Sequence, residues 1–473
     1  MEKSVDVVVV GAGVAGLVAA RRLMQAGLEV VALEARDRVG GRLHTRSVAG
    51  GTPVDVGGQW VGPGQQRIHA LLAELGLRTS PTPTAGRHIA ELGGSRSEYT
   101  GRIPRLNPVT LADIGQTQWR LDRLAARIPL DGPWRAARAA GLDGQTFDTW
   151  LRRTARTGGG RAFFRLATEA VFSAGPEDLS ALWAAFYIGS AGGLDALINT
   201  EGGAQQDRIV GGAQQVAVEL ARGLGERVRL GSPVTGIEWD GREHDGEDDG
   251  DGAQHDDNGR THAHARVLTP DHSVRARRVV VAVPPPLASR INYWPGLPGG
   301  RDQLVQRMPM GRVIKINVLY PEPFWRADGW SGQSNSDTRA LGTVFDNSPD
   351  SAGGPGVLVG FLEGRHADAA AGLDPDQRRT RVLEDLVGYF GPRARTPVDY
   401  LELDWAEEEF SRGCYGAFAT PGTLTRFGPH LRRPVGPLHW AGTETATRWA
   451  GYMDGAVESG QRAAREIISA LSG

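Results

Sequence analysis

The residue type best suited to covalent chemistry occurs once in this chain. Cys414 is the only cysteine among 473 residues, and Tyr415 follows it directly. A thiol beside an aromatic ring could react with a bound ligand or pack against one. A lone free cysteine can equally be a small buried apolar residue. The choice between these two interpretations depends on what the rest of the chain builds around position 414.

The N-terminal segment predicts a dinucleotide-binding unit. Residues 5–10 are almost all valine, as in a buried strand, and they lead directly into Gly11, Gly13 and Gly16. Gly11 permits a tight turn, Gly13 lets a pyrophosphate approach the backbone, and Gly16 allows a helix to pack closely on the strand. Glu34 stands roughly 20 residues further on, where a carboxylate can accept hydrogen bonds from a ribose.

A second glycine pair favours FAD over NAD. Gly40 and Gly41 lie among arginines, and a further glycine-rich segment covers residues 55–60. Nicotinamide enzymes do not need the Gly40-Gly41-Arg42 segment, although ordinary surface turns would also explain this pattern. It resembles the segment with which FAD-dependent amine oxidases hold the pyrophosphate and the ribityl chain. The resemblance implies cofactor contacts from Arg36, Gly40, Gly41, Arg42, Gly58, Gln59 and Trp60.

The C-terminal segments extend this resemblance. Residues 438–446 and 449–460 resemble the closing flavin-binding segment of the flavin-containing monoamine oxidase family, so matching motifs run from residue 5 to residue 468. The resemblance implies a helix that begins near Gly455 and directs its N-terminus at the flavin, where its dipole favours negative charge. It also implies cofactor contacts from Val234, Trp405, Thr443, Glu444 and Met453, although core packing would also explain Trp405.

The resemblance gives Cys414 a role. In the monoamine oxidases the cysteine of the Gly-Cys-Tyr motif forms a thioether with the flavin 8α-methyl group, and Cys414 is the matching residue. We therefore expect covalent FAD. Arg412 departs from the glycine that is common in the mitochondrial enzymes, so a flavin held without a covalent bond stays an alternative.

Three further residues match catalytic positions of the family. Tyr415 and Tyr452 correspond to the pair on either side of the substrate nitrogen, where ring faces attract an amine and an apolar cage favours its neutral form. Lys315 corresponds to the lysine that holds a water at flavin N5, and strand alternation places it opposite Ile314 and Ile316. Structural tyrosines and a solvated lysine are the alternatives. The motifs contain no evident histidine or carboxylate as general base.

The substrate end is less defined. Ile198, Gln205 and Phe361 match cavity-lining positions, and Gly342 stands near a bulky aromatic gate of the mitochondrial enzymes, which predicts a wider cavity. The resemblance implies FAD-dependent oxidative deamination of a primary or secondary amine, with O₂ reduced to hydrogen peroxide. Hydride transfer and a polar nucleophilic step are both compatible with the motifs. An L-amino-acid oxidase, a polyamine or diamine oxidase, and a non-catalytic flavin-binding module stay as alternatives.

Composition narrows the function classes. The 53 basic and 55 acidic residues give a net charge of -2, which has no nucleic-acid or membrane signature. One cysteine excludes an intramolecular disulfide and fits a reducing compartment. A strand that begins at Val5 leaves no room for a signal peptide, and the membrane-anchoring tail of the mitochondrial enzymes has no counterpart. We expect a cytoplasmic enzyme, with a homodimer as the candidate assembly, that binds a small-molecule amine and O₂ but no metal, nucleic acid or membrane.

The predicted fold is mixed α/β (α+β), with two domains. A discontinuous Rossmann-like FAD-binding domain is expected from residues 1–80, 206–295 and 400–473, and a substrate-binding domain of mixed sheet and helices from 81–205 and 296–399. Strands are predicted over 228–239 and 274–283. The acidic segment 240–260 between them cannot bury apolar area, which predicts a mobile loop. Its histidines make a metal site the weaker interpretation.

Overall fold

The computed structural model describes residues 3–240, 265–350 and 353–472. The strands among these residues are β1 Lys3–Val10, β2 Val30–Leu33, β3 Thr45–Ser47, β4 Pro53–Asp55, β5 Trp60–Val61, β6 Thr79–Pro81, β7 Arg87–Leu92, β8 Ser95–Tyr99, β9 Asp207–Ile209, β10 Val228–Arg229, β11 Gly236–Trp239, β12 Ala265–Leu268, β13 Ser273–Val281, β14 Asn292–Trp294, β15 Val313–Tyr320, β16 Trp330–Ser336, β17 Thr343–Asp346, β18 Gly356–Glu363, β19 Asp399–Asp404 and β20 Leu438–Trp440.

Helices connect and cover these strands. In the described ranges they are α1 Val14–Gln25, α2 Gln66–Glu74, α3 Pro108–Ala125, α4 Ala139–Asp143, α5 Phe147–Thr154, α6 Gly158–Phe172, α7 Ala181–Ala191, α8 Leu194–Ile198, α9 Gln215–Leu224, α10 Pro285–Ala288, α11 Gly299–Gln306, α12 Phe324–Ala327, α13 Arg365–Ala371, α14 Pro375–Phe390, α15 Leu424–Phe427 and α16 Met453–Ser472.

The first sheet has the order β10-β2-β1-β13-β12-β11-β14, and β20 also pairs with β13. Its central strands β2, β1, β13 and β20 are parallel. The valines of β1 are buried on both faces, as the continuous apolar run predicts for a parallel strand covered by helices. On one face α1 and α16 pack together so closely that a side chain at Gly460 would collide with the carbonyl of Ala15.

The second sheet has the order β19-β15-β18-β17-β16-β7-β8. At its centre β15 pairs antiparallel with β18, and this register sets Lys315 opposite Phe361. All residues of β15 and β18 are buried. Helices α3 to α8 form a separate apolar cluster, which Trp449 and the neighbouring Tyr452 also join. The second sheet and this cluster therefore both reach the chain around Tyr452 and Tyr415.

The mixed α/β class is confirmed, whereas some predicted boundaries are wrong. The predicted strand 228–239 is two strands, because Gly231 adopts a φ of 60° and β10 and β11 join different edges of the sheet. Helix α1 begins at Val14, directly after Gly13. The last helix begins at Met453 rather than near Gly455.

The division into domains stays a prediction. The first sheet takes strands from three separate parts of the chain. Strand β19, which spans the predicted boundary at 400, pairs with β15 in the second sheet. The predicted acidic loop and its histidines lie outside the described residues, apart from Asp240.

Candidate active site

A continuous cavity of about 1260 Å³ extends from the end of β1 to the inner strands of the second sheet. Most of the sequence-predicted residues line it: Gly11, Gly13, Glu34, Arg36, Gly40, Gly41, Arg42, Gly58, Gln59, Trp60, Ile198, Gln205, Val234, Lys315, Phe361, Cys414, Tyr415, Thr443, Tyr452 and Met453. Gly16, Trp405 and Glu444 do not line the cavity and act from behind its wall. The fold thus brings the nucleotide-binding motif and the predicted catalytic residues to one space.

The nucleotide end of the cavity is shaped by glycines at the start of α1. A side chain at Gly16 would collide with the carbonyl oxygen of Gly11, whereas one at Gly13 would meet no atom within 4 Å. Gly13 caps α1 without a side-chain hydrogen bond, and the first turn has no acidic residue. The positive end of α1 is therefore open to an anion. With Arg36 and Arg42 in the same wall, these residues fit the pyrophosphate of FAD.

Glu34 is fixed where β2 ends. Its Oε2 accepts a hydrogen bond of 2.8 Å from the backbone of Ala12, and its Oε1 accepts one of 3.1 Å from the backbone of Arg36. The side chain is buried but lines the cavity, beside Val234 of the β10–β11 connection. This position suits a carboxylate that accepts hydrogen bonds from a ribose.

An ion pair between Arg42 and Glu444 joins the segment after Gly40 and Gly41 to the C-terminal part of the chain. Arg42 donates to both carboxylate oxygens of Glu444, at 2.6 and 3.2 Å, and to the carbonyl oxygen of Tyr415 at 2.9 Å. Burial alone would raise the pKa of Glu444, but the Arg42 guanidinium holds it below its usual value. Arg42 thereby connects the cofactor side of the cavity to the backbone that carries Cys414 and Tyr415.

Cys414 is buried, and burial raises the pKa of its thiol to about 12. It packs in an apolar cluster with Phe361 and Trp405. The indole of Trp405 donates to the carbonyl oxygen of Val56 at 2.7 Å and packs on Gly57. Trp405 therefore supports the cavity wall from the core, which was the competing interpretation of its role.

Lys315 points from β15 towards Gly57 and Gln59. Its Nζ donates to the carbonyl oxygen of Gly57 at 2.7 Å and to Oε1 of Gln59. It also lies 5.5 Å from the ring centroids of Trp60 and Phe361. Burial lowers the pKa of Lys315 to about 7, although Asp55 and Cys414 oppose the shift. The strand alternation predicted the face on which this lysine lies, opposite Ile314 and Ile316, which belong to another apolar cluster.

The two predicted cage tyrosines stand in aromatic surroundings. The ring of Tyr415 packs edge-on to Phe361 with centroids 6.2 Å apart. Tyr452 lies 5.2 Å from Trp449 and 6.1 Å from Tyr187. Burial raises the pKa of both predicted phenols well above the ordinary value, so they stay protonated. Ring faces rather than charged groups therefore dominate this part of the cavity.

Two residues of this site, Glu363 and Tyr187, are absent from the sequence-based predictions, which named no carboxylate as general base. Glu363, the last residue of β18, lines the cavity and accepts a 2.7 Å hydrogen bond from the hydroxyl of Tyr415. Tyr187 of α7 forms a further aromatic wall. Phe361 was recognised, and strand alternation places residue 363 on the same face of β18. That period-two pattern was the signal that could have found Glu363.

Ile198 and Gln205 lie at the opposite wall. Ile198 ends α8, and the amide of Gln205 donates to the carbonyl oxygen of Leu197 at 2.9 Å. Its Oε1 is buried and accepts no hydrogen bond from the described residues. In residues 3–240, 265–350 and 353–472 no group of three or more His, Cys, Asp and Glu could hold a metal, and no helix is long and apolar enough to cross a membrane.

Comparison with known proteins identifies the family. The family model described as flavin containing amine oxidoreductase matches residues 14–468. The chain belongs to this family. It is 43% identical over 468 residues to the flavin-containing monoamine oxidase AofH of Mycobacterium tuberculosis, covering 99% of this chain and 97% of that protein. It is 38% identical over 477 residues to the flavin-containing amine oxidase B of Cavia porcellus, covering 100% of this chain and 87% of that protein.

A solved structure gives the same result for the fold. Wild-type putrescine oxidase bound to putrescine superposes with a TM-score of 0.91 and 36% identity, covering 98% of this chain and 99% of that one. The predicted monoamine oxidase resemblance is confirmed. This flavin amine oxidoreductase is an enzyme of amine oxidation with a flavin-binding and a substrate-binding part.

Proposed function

We propose that this enzyme oxidatively deaminates a small primary amine, or a secondary one, with FAD as cofactor and O₂ as electron acceptor, and releases hydrogen peroxide. The observation that carries the proposal is the continuity of the cavity. It leads from the open N-terminus of α1 to the aromatic walls around Tyr415 and Tyr452. In such a cavity, an amine between the aromatic walls would lie next to the FAD bound at the nucleotide end.

The residues have distinct proposed roles. Tyr415 and Tyr452 present ring faces that attract and orient the amine nitrogen, and their apolar surroundings favour its neutral form. Lys315 holds a water used when the reduced enzyme reacts with O₂. Ile198, Gln205 and Phe361 shape the wall that contacts the rest of the substrate.

Bound FAD would supply the two-electron acceptor that the protein's side chains lack. Glu34 would bind its ribose, the start of α1 with Arg36 and Arg42 its pyrophosphate, and Val234 its adenine. Gly40, Gly41, Gly58, Gln59 and Trp60, together with Thr443 and with Met453 at the start of α16, would hold the rest of the FAD molecule. Glu444, Gly16 and Trp405 support these residues from behind.

We further propose that FAD is attached covalently through Cys414. The proposal is supported by the position of Cys414 on the cavity wall directly before Tyr415. Acid-precipitated wild-type protein should stay yellow, and its intact mass should exceed that of the chain by one FAD. Cys414→Ala should release the flavin on denaturation but still bind it in the folded state, since the contacts at α1 and Arg42 remain. Yellow colour in the supernatant of the wild type would contradict the covalent bond and leave FAD binding intact.

A diamine substrate is the second candidate. The cavity carries the carboxyl group of Glu363 next to a cage tyrosine, and putrescine oxidase is among the similar structures. A panel of phenylethylamine, tyramine, putrescine, spermidine and several L-amino acids, measured by peroxide release, separates the substrate classes. We expect turnover of the arylalkyl amines and none of the amino acids. Turnover of amino acids alone would contradict the proposal. A homodimer and a cytoplasmic location stay predictions from the sequence.

A further inference from the structure

Glu363 is a carboxyl group with one oxygen held and one oxygen available to the cavity. Its Oε1 accepts the hydrogen bond from Tyr415, whereas its Oε2 accepts none from the described residues. The side chain is only 4% exposed, yet it lines the cavity. The roles proposed for Tyr415, Tyr452 and Lys315 leave this carboxyl group without a function in the oxidation of a monoamine.

An amine substrate must lose a proton before it can be oxidised. Alkyl ammonium groups have a pKa of about 10.4, as for a lysine side chain, so most substrate molecules arrive charged near neutral pH. The electron pair on nitrogen is then engaged in an N–H bond. The phenols of Tyr415 and Tyr452 are protonated and cannot accept this proton. Lys315 is committed to the carbonyl of Gly57 and to Gln59.

We propose that Glu363 accepts the proton of the incoming alkyl ammonium, so that the amine enters the aromatic cage in its neutral form. In this step an N–H bond of the substrate breaks, an O–H bond forms at Glu363, and the electron pair stays on nitrogen. No oxidant or reductant is required. The proton passes to water when the cavity next opens to solvent. The inference rests on the proposed function, because it assigns the proton step of the same site.

The surroundings of Glu363 give its carboxylate a raised affinity for a proton. Burial raises the pKa of Glu363 to about 8, the hydrogen bond from Tyr415 lowers it, and the nearby Glu169 on α6 raises it. Glu169 itself is paired with Arg165 and Arg365, at 3.6 and 3.5 Å. An arriving ammonium ion favours the ionised carboxyl. The ionised carboxylate, whose share grows as the pH rises towards about 8, is the form that accepts the substrate proton.

The other charged groups on neighbouring elements are directed elsewhere. Lys315 on β15 donates to Gly57 and Gln59, and Asp368 on α13 pairs with Arg312 at 3.0 Å. His366 on α13 accepts from Arg365 at 3.3 Å, and burial lowers its pKa to about 4. Glu363 is therefore the titratable group on these elements that meets both the cage and the cavity.

Glu363→Gln tests the proposal because the amide oxygen can still accept from Tyr415 but cannot take up a proton. The measurement is the anaerobic rate of flavin reduction, divided by the apparent amine dissociation constant, between about pH 6 and 10. Three substrates are compared: phenylethylamine, putrescine, and a β,β-difluorinated phenylethylamine of much lower basicity. We expect the variant to lose about tenfold or more with phenylethylamine near pH 7, and to approach the wild type as pH nears the amine pKa of about 10. The weakly basic amine should reduce the flavin of both proteins equally well.

A second variant, Glu169→Gln, is expected to shift the pH profile of flavin reduction while Glu363 itself stays unchanged. Glu169 does not line the cavity. Glu169→Gln removes its repulsion, so the pKa of Glu363 should fall and the pH profile should move to lower pH with the same maximum. This readout would not move if Glu363 only positioned Tyr415.

Three outcomes would overturn the inference. Equal losses with both phenylethylamines at every pH would make Glu363 a positioning residue for Tyr415, and unchanged kinetics would mean that another group or water takes the proton. A loss confined to putrescine would assign Glu363 to a second ammonium group instead. Failure of the proposed function is distinguishable, since no amine would then reduce the wild-type flavin.

Discussion

The nucleotide end and the amine end of the cavity are built in different ways. At the nucleotide end, Gly11 and Gly13 lie between β1 and α1, Glu34 directly follows β2, and a side chain at Gly16 would collide there with the carbonyl oxygen of Gly11. At the amine end, Lys315 and Glu363 come from different strands of another sheet and contribute side chains. We therefore expect the nucleotide end to tolerate few changes in backbone shape. At the amine end, a single side-chain substitution should be enough to change the chemistry.

The largest expected effect tests the tight geometry of the nucleotide end. Gly16→Ala places a methyl group against the carbonyl oxygen of Gly11, so α1 must move away from β1. We expect FAD affinity to fall about a hundredfold, which corresponds to about 2.7 kcal/mol. The measurement is a flavin fluorescence titration of apoprotein in the Cys414→Ala background, where the cofactor can exchange.

Gly223→Ala in α9 is the matched control. A side chain there meets no atom within 4 Å, so the change should stabilise the helix by about 0.5–1 kcal/mol and leave FAD affinity unaltered. If Gly16→Ala bound FAD as well as this control does, the close contact at the start of α1 would not matter for the cofactor.

The next effect concerns the residue that connects both ends. Arg42→Met leaves the carboxylate of Glu444 buried at 2% exposure without its partner. We expect the free energy of unfolding to fall by about 3 kcal/mol, measured by urea unfolding of apoprotein in the Cys414→Ala background. Arg42→Lys keeps the charge but loses the two-pronged contact, so it should lose less. Equal stability of all three proteins would show that the two ends are independent.

A smaller effect separates the two half-reactions at the amine end. Lys315→Met removes the ammonium group that contacts Gly57 and Gln59. We expect the reaction of the reduced enzyme with O₂ to slow by about tenfold or more, and anaerobic reduction by amine to slow less. Stopped-flow absorbance resolves both rates. Equal slowing of the two would mean that Lys315 acts through the general shape of the site.

The contrast between the two ends of the cavity also explains which of their contacts could be predicted from the sequence. Gly11 to Glu34 form a local pattern whose spacing implies its own contacts, so this unit was predictable. Alternation along β15 gave the face of Lys315, but its partner Gly57 is brought to it only by tertiary packing. Glu363 was missed because its role depends on Tyr415, which a separate segment supplies. The break between β10 and β11 was missed although Gly231, Ser232 and Pro233 between them are residues typical of turns.

The central claim is that the amine nitrogen passes between the rings of Tyr415 and Tyr452, and a double-mutant cycle tests it most directly. Tyr452→Phe keeps a ring face and should change little, whereas Tyr415→Phe keeps the face but also removes the hydrogen bond to Glu363. Each Tyr→Ala variant should lower kcat/KM for phenylethylamine about tenfold, since such contacts contribute roughly 0.5–2 kcal/mol. If both faces serve one nitrogen, the double Ala variant should lose less than the product of the single losses. Wild-type kinetics in either Ala variant, or losses that multiply independently, would contradict the aromatic cage.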